Sequence, residues 1–392
     1  MAHQRGSPTH DWALPLNNGP TQRDHDDYFK PDLKHQHLTY TPDTQKLENA
    51  PTEQEAPERA ASGNLVEHST TLGVRTALGL HPSAPLSEEH DGPQQELLWS
   101  RIRLALREPF AEFCGTLILV LFGDGSVAQV LLSAGQKSAP GGNGYGAWGL
   151  GVMLGVYVAG DSGAYLNPAI TFSSCLYRGL PWRRFPIYLL AQLLGGFVAA
   201  GIVYGNYITA IDTVEGGPGI RTVPPSPTAT AGIFCTYPQP FLTKTSQFFS
   251  EFIASAILMF VIFALKDDGN NGVSKGGGNW FPLGLFFLIF GLGACFGWET
   301  GYAINLARDF GPRLFSFCVG YGHGVWSAGG YYFWIPMFAP FCGCAFGGFL
   351  YDLFIYTGPS PVNTPWLGLQ RIAHPQKTIR GRLREHKEQG VV

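Results

Sequence analysis

Read for hydrophobic and polar positions, the chain falls into a long polar stretch, a longer apolar one and a short polar end. Between Pro109 and Tyr356 apolar, Gly and aromatic positions dominate. They come in runs of about twenty residues, the length at which a helix crosses a hydrocarbon core of about 30 Å. The pattern predicts spans at 110–132, 147–165, 185–207, 247–265, 280–298 and 333–356. Two further apolar pieces, 168–176 and 306–318, are too short to cross and each follows an Asn, so they are expected to be re-entrant half-helices. The fold class that follows is an all-α membrane protein of six transmembrane helices plus two re-entrant half-helices.

The polar interruptions repeat. Ala111-Glu112-Phe113 opens the first span and Ser250-Glu251-Phe252 the fourth. Gly-Ala-Tyr-Leu-Asn-Pro-Ala over 163–169 is matched by Gly-Tyr-Ala-Ile-Asn-Leu-Ala over 301–307. The glutamates lie 139 residues apart (251 − 112) and the asparagines 138 (305 − 167). One acid and one Asn per copy at a nearly constant offset indicate a duplicated membrane half in an inverted repeat.

Charged residues make up only 14% of the chain, against about 25% in soluble domains. Mean hydropathy is nevertheless only +0.03, so apolar and polar portions are segregated. The first hundred residues are rich in Pro, His, Asp and Glu without a sustained apolar period, which is the composition of a disordered acidic tail. The expected organisation is therefore a tail over 1–100, a membrane domain over 101–356 and a basic tail over 357–392. No signal peptide precedes the first span, which is expected to serve as the targeting signal. Arg101, Arg103 and Arg107, then Arg178, Arg183 and Arg184, and Arg371, Lys377, Arg380, Arg382 and Arg384 fall on one side. Lys137, Arg221, Lys244 and Arg313 fall on the other, where basic residues are fewer, which predicts both termini inside. The seven cysteines are odd in number and sit mostly in apolar runs, with Cys235 assigned to an outer loop, so no disulfide framework is expected. The net charge of −3 sums an acidic and a basic tail and implies no nucleic-acid partner. No nucleophile with a base, metal cluster or phosphate-binding Gly motif stands out, so neither an enzyme nor a cofactor is expected.

Inverted half-helices bring their N-termini together near the midplane, each carrying about half a positive charge. Cations would be repelled there, while the side-chain amides of Asn167 and Asn305 could donate to a neutral hydroxyl. Pro168 suits a first helical position. The segments before each Asn should expose backbone carbonyls of Gly163, Ala164, Tyr165 and Leu166, and of Gly301, Ala303 and Ile304, as a ladder of acceptors. Glu112 and Glu251 are the groups expected to hold these segments by accepting their N–H bonds, with a proton relay as the other reading. Arg308 is expected to be a pore donor, and Asp309 to orient loop and helix end. The run Asp267-Asp268-Gly269-Asn270-Asn271-Gly272 reads as turn chemistry. A proton-coupled transporter, a water-selective pore and a non-conducting junction protein stay open on these residues alone.

With both Asn motifs, both helix-opening glutamates and their order, the chain resembles the aquaporin or major intrinsic protein family over about 108–356. Within it, the chain is most similar to the aquaglyceroporins of fungi. That resemblance implies homotetramers whose monomers each hold a pore, and central motifs Asn167-Pro168-Ala169 and Asn305-Leu306-Ala307. It also implies a selectivity filter at Trp148, Gly293, Tyr302 and Arg308, where Gly293 stands in place of a His typical of water-selective members. Asp309 after Arg308, the run 308–312, Pro336 before Met337 and the long loop 208–243 resemble the glycerol branch. The implied protein is a multi-pass plasma-membrane channel in the lipid bilayer that conducts glycerol, other small uncharged solutes and water, excludes protons and ions, and serves osmoregulation. Leu306 departs from the Pro of the family pattern and is expected to shift Asn305 and Arg308 slightly.

Overall fold

The computed structural model describes residues 74–75, 77–80, 97–133, 144–273 and 279–369. Its helices are α1 (Leu98–Ala105), α2 (Arg107–Leu132), α3 (Gly144–Val158), α4 (Pro168–Tyr177), α5 (Arg184–Glu215), α6 (Lys244–Leu265), α7 (Phe281–Thr300), α8 (Leu306–Ser316), α9 (Gly324–Tyr331) and α10 (Trp334–Phe354). Among the described residues, five helices (α2, α5, α6, α7 and α10) are long and apolar enough to cross a membrane.

The sixth span differs from expectation. The pattern predicts it over 147–165, but α3 stops at Val158 after 15 residues. At 1.5 Å per residue that helix is about 22 Å long, short of a full crossing. Helix cannot continue to 165, because Gly163, Ala164 and Leu166 take left-handed φ values of 98°, 51° and 53° before Asn167 turns extended. α5, in contrast, runs to Glu215, and the connection expected from 208 begins at Gly216. Both half-helices are present: α4 ends at Tyr177, and α8 ends at Ser316, two residues before the predicted limit.

Tertiary packing follows the repeat. α2 lies along α5 and α6 along α10, while α3 bridges α2 and α7. Side-chain-free positions make these approaches possible. A Cβ on Gly195 of α5 would stand 2.5 Å from the Phe113 carbonyl oxygen of α2, and one on Gly347 of α10 would stand 2.0 Å from that of Ala256 in α6. Such small-residue contacts are the usual means of packing helices where no hydrophobic force drives them together. The half-helices α4 and α8 both rest on α5 and α10. Leu190, Leu194 and Ile202 leave an exposed apolar face on α5, suited to lipid.

Arg313, counted above among the basic residues of the outer side, is instead buried on α8, where its guanidinium is neutralised by Asp309 one turn earlier. Cys235 is also buried, although it lies in the connection between α5 and α6. Asp267 does form a turn, accepting from the Gly269 N–H at 2.9 Å through its side chain and from the Gly272 N–H at 2.9 Å through its carbonyl. Most of the tail over 1–100, Lys137 and the basic run 371–384 lie outside the described residues. The described part at 74–80 packs on the membrane domain. Arg75 reaches Glu108 at 2.8 Å, the Tyr188 hydroxyl donates to the same carboxylate at 3.2 Å, and Arg184 donates to the Gly79 carbonyl.

Candidate functional site

The two half-helices begin alike. Asn167 caps α4 with φ −149° and ψ 119°, its side-chain oxygen accepting from the Ala169 N–H at 2.9 Å. Asn305 caps α8 with φ −152° and ψ 113°, accepting from Ala307 at 2.9 Å and Arg308 at 3.3 Å. The caps differ by 3° in φ (152 − 149) and 6° in ψ (119 − 113), so Asn305 caps α8 ahead of Leu306 as Asn167 caps α4 ahead of Pro168. An Asn cap satisfies the first orphan donors of a helix whether or not proline follows it.

Each Asn also reaches across the repeat. Asn167 Nδ2 donates to the Ile304 carbonyl at 2.8 Å, and Asn305 Nδ2 donates to the Leu166 carbonyl at 2.8 Å. This reciprocal pair locks the two half-helix N-termini together. It uses one of the two hydrogens on each amide and leaves the other for a third partner.

The segments entering these caps are held in a costly conformation. Gly163, Ala164 and Leu166 have φ of 98°, 51° and 53°, and Gly301, Tyr302 and Ile304 have 80°, 37° and 42°. The left-handed region costs a non-Gly residue about 1–2 kcal/mol. The buried glutamates offset it. Glu112 accepts from Tyr165 N at 2.9 Å, Leu166 N at 2.8 Å, Ser162 Oγ at 2.5 Å and Gln192 Nε2 at 2.7 Å. Glu251 accepts from Ala303 N at 2.8 Å, Ile304 N at 2.8 Å, Thr300 Oγ1 at 2.7 Å and the Tyr332 hydroxyl at 3.3 Å. With the N–H groups of Tyr165, Leu166, Ala303 and Ile304 turned to these carboxylates and that of Ala164 to Ser162 Oγ, residues 164–166 and 302–304 line a cavity of about 60 Å³.

The wall facing them is apolar, with Leu119, Val152, Leu258 and Ile289 among its members. Trp148, Tyr302 and Arg308 also line the cavity, and the Arg308 guanidinium carbon lies 3.9 Å from the centre of the Trp148 ring. Gly293 is buried on α7, one turn beyond Ile289. The arrangement offers acceptors along one side, donors at the Asn pair and at Arg308, and apolar surface elsewhere. A small hydroxyl-bearing molecule could exchange water for these groups, whereas a cation would meet two half-helix N-termini and Arg308.

Asp309 does not face the cavity. Its carboxylate accepts from Thr236 N at 2.8 Å, Thr236 Oγ1 at 2.7 Å and Arg313 Nε at 2.8 Å, while Arg313 donates to the carbonyls of Val325 at 2.6 Å and Thr236 at 2.7 Å. It thereby ties α8 to the long α5–α6 connection.

Three residues near the cavity were not singled out by the sequence. Gly123 backs Trp148: a Cβ there would stand 2.2 Å from the indole ring. Asp124, fully buried on α2, stands 3.8 Å from Arg308 Nη1. Its signal was available as an acid between two glycines in an apolar run, 113–132, that is otherwise uncharged. Lys266, at the end of α6, also lines the cavity, with Nζ 4.5 Å from the Phe281 ring centre and 5.7 Å from that of Tyr165.

A profile of the family described as major intrinsic protein matches residues 99–351. The chain is 59% identical over 326 residues to aquaglyceroporin-9 of Botryotinia fuckeliana, covering 80% of this chain and 70% of that one. It is 65% identical over 286 residues to probable aquaglyceroporin-2 of Gibberella zeae, covering 73% and 83%. It is also similar to the X-ray structure of the aquaglyceroporin from Plasmodium falciparum, with a TM-score of 0.55, 30% identity, and coverage of 64% of this chain and 96% of that one.

Proposed function

Because the chain belongs to the major intrinsic protein family, we propose that it is a passive transmembrane channel for glycerol, other small uncharged solutes and water. The observation that carries this reading is the reciprocal Asn167–Ile304 and Asn305–Leu166 bonding. It fixes two donors and two strands of carbonyls beside an apolar wall, which suits a molecule with an alkyl backbone and several hydroxyls. Trp148, Gly293, Tyr302 and Arg308 form the selectivity filter in this reading. Residues 163–166, 301, 303 and 304 are the carbonyl ladder, and Glu112, Glu251 and Asp309 are supports.

Passive flux is favoured over proton coupling because both buried glutamates are spent on four hydrogen bonds each, leaving no acceptor site for a relay. The channel works as a homotetramer in the plasma membrane with both termini cytoplasmic. Arg178, Arg183 and Arg184 beside α4 and α5 support that orientation. The test is stopped-flow light scattering on proteoliposomes of the purified full chain, with inward glycerol gradients and, separately, an impermeant osmolyte. Rapid glycerol entry that does not change with a pH gradient is expected. Water flux without glycerol flux, or glycerol entry that follows the pH gradient, would overturn the reading.

A further inference from the structure

Among the described residues, Asp124 is a charged group beside Arg308 to which no role above is assigned. Its side chain is 0% exposed on α2, and neither carboxylate oxygen has a hydrogen-bond partner. A buried carboxylate without donors is costly unless a cation faces it. That cation is Arg308, whose Nη1 lies 3.8 Å from Asp124 Oδ1 and is itself without a hydrogen bond. Neighbouring charges do not substitute. Asp309 is closed in its clasp with Thr236 and Arg313, and Arg313 spends its donors on Asp309, Val325 and Thr236.

The separation is informative. At 3.8 Å Asp124 Oδ1 faces Arg308 Nη1 beyond hydrogen-bond reach, so the guanidinium has a polar neighbour on this side that does not consume its N–H donors. The opposite anchor is the Trp148 face at 3.9 Å, and Trp148 is in turn seated against Gly123, the residue before Asp124. One turn of α2 therefore contacts both the ring and the charge of the constriction.

We propose that Asp124 is a specificity-determining positioning residue. It holds Arg308 against Trp148 and offsets its charge, so that the constriction presents hydroxyl-binding donors without the field of a bare cation. The proposal rests on the channel reading above. It is tested with full-length protein in proteoliposomes by measuring the glycerol-to-water permeability ratio, and nitrate-driven swelling with potassium and valinomycin.

Asp124→Asn should lower the glycerol-to-water ratio by about threefold or more and open a nitrate leak, because Arg308 is left unbalanced. In an Arg308→Ala background the same Asp124→Asn change should alter the ratio by less than about 1.5-fold, the mark of action through Arg308. Equal effects in both backgrounds, or a wild-type ratio and no nitrate leak in Asp124→Asn, would overturn the proposal. If Asp124→Asn does not assemble, Asp124→Glu decides: it retains the charge and has to exclude nitrate as the wild type does, and a leak in it counts against the proposal. Glycerol flux in the wild type with an indifferent Asp124→Asn refutes this inference alone. No glycerol flux in the wild type refutes the channel reading and the inference with it.

Discussion

Gly123→Ala is the smallest change expected to reach the constriction. The added Cβ would stand 2.2 Å from Trp148 Cε3 and Cζ3 and 2.3 Å from Cη2. Carbon atoms rest at about 3.5 Å or more, so roughly 1.3 Å of separation has to be found. Parting the helices would give up close packing along their whole contact. α2 and α3 are already in backbone contact, a Cβ on Gly155 lying 2.5 Å from the Gly115 carbonyl oxygen and one on Gly151 lying 2.8 Å from that of Leu119. The ring must move instead, and its far face meets Arg308 and the cavity.

Overpacking of this kind costs about 1–3 kcal/mol. If that energy is added to the barrier for a molecule passing the proposed filter at Trp148 and Arg308, glycerol flux falls by about 5- to 150-fold. Water, being smaller, should slow less, so the ratio of glycerol to water permeability falls. The assay is stopped-flow scattering on proteoliposomes at matched protein density. Gly125→Ala is the control, since a Cβ there meets nothing within 4 Å; it should behave as wild type. A wild-type ratio in Gly123→Ala, or equal losses in both variants, would refute the packing argument.

Two further outcomes follow from the supports of the site. Glu112→Gln turns one acceptor oxygen into a donor facing other donors, and losing two charge-assisted bonds should cost about 3–6 kcal/mol; a melting curve in detergent within 2 °C of wild type would contradict this. Burial pushes the Cys235 thiol up to about 11 from 9.0, against the opposing charge of Arg313. The unfolded chain then loses this proton first as pH rises through about 9, so the thiol's contribution is intact below that pH and fades towards 11. Relative to pH 8, wild type should lose about 2 kcal/mol more than Cys235→Ala by pH 10.5, which parallel melting series measure; parallel losses would count against it.

Much of this fold was legible because a bilayer makes sequence patterns strict. A backbone in hydrocarbon must satisfy itself, so long apolar runs had to be helices, and the two Asn-headed runs too short to cross had to re-enter. The repeat of Glu112 with Glu251 and of Asn167 with Asn305 carried the inverted pairing. It also carried the role of the glutamates, since an acid in that setting needs donors and the non-helical segments offered them. Distance along the chain, however, does not encode what meets across it. That α3 would stop at Val158 depended on the left-handed turn at Gly163 being paid for by Glu112, 51 residues earlier (163 − 112). Arg313 looked like a loop residue until Asp309 and Thr236 enclosed it. Asn305 caps α8 ahead of Leu306 through its side chain and bonds Leu166 across the repeat, contacts that only the folded arrangement displays. Asp124 and Gly123 became part of the site only when α2 packed against α3 and α8, because an ion pair and a ring contact are properties of that packing rather than of any stretch of sequence.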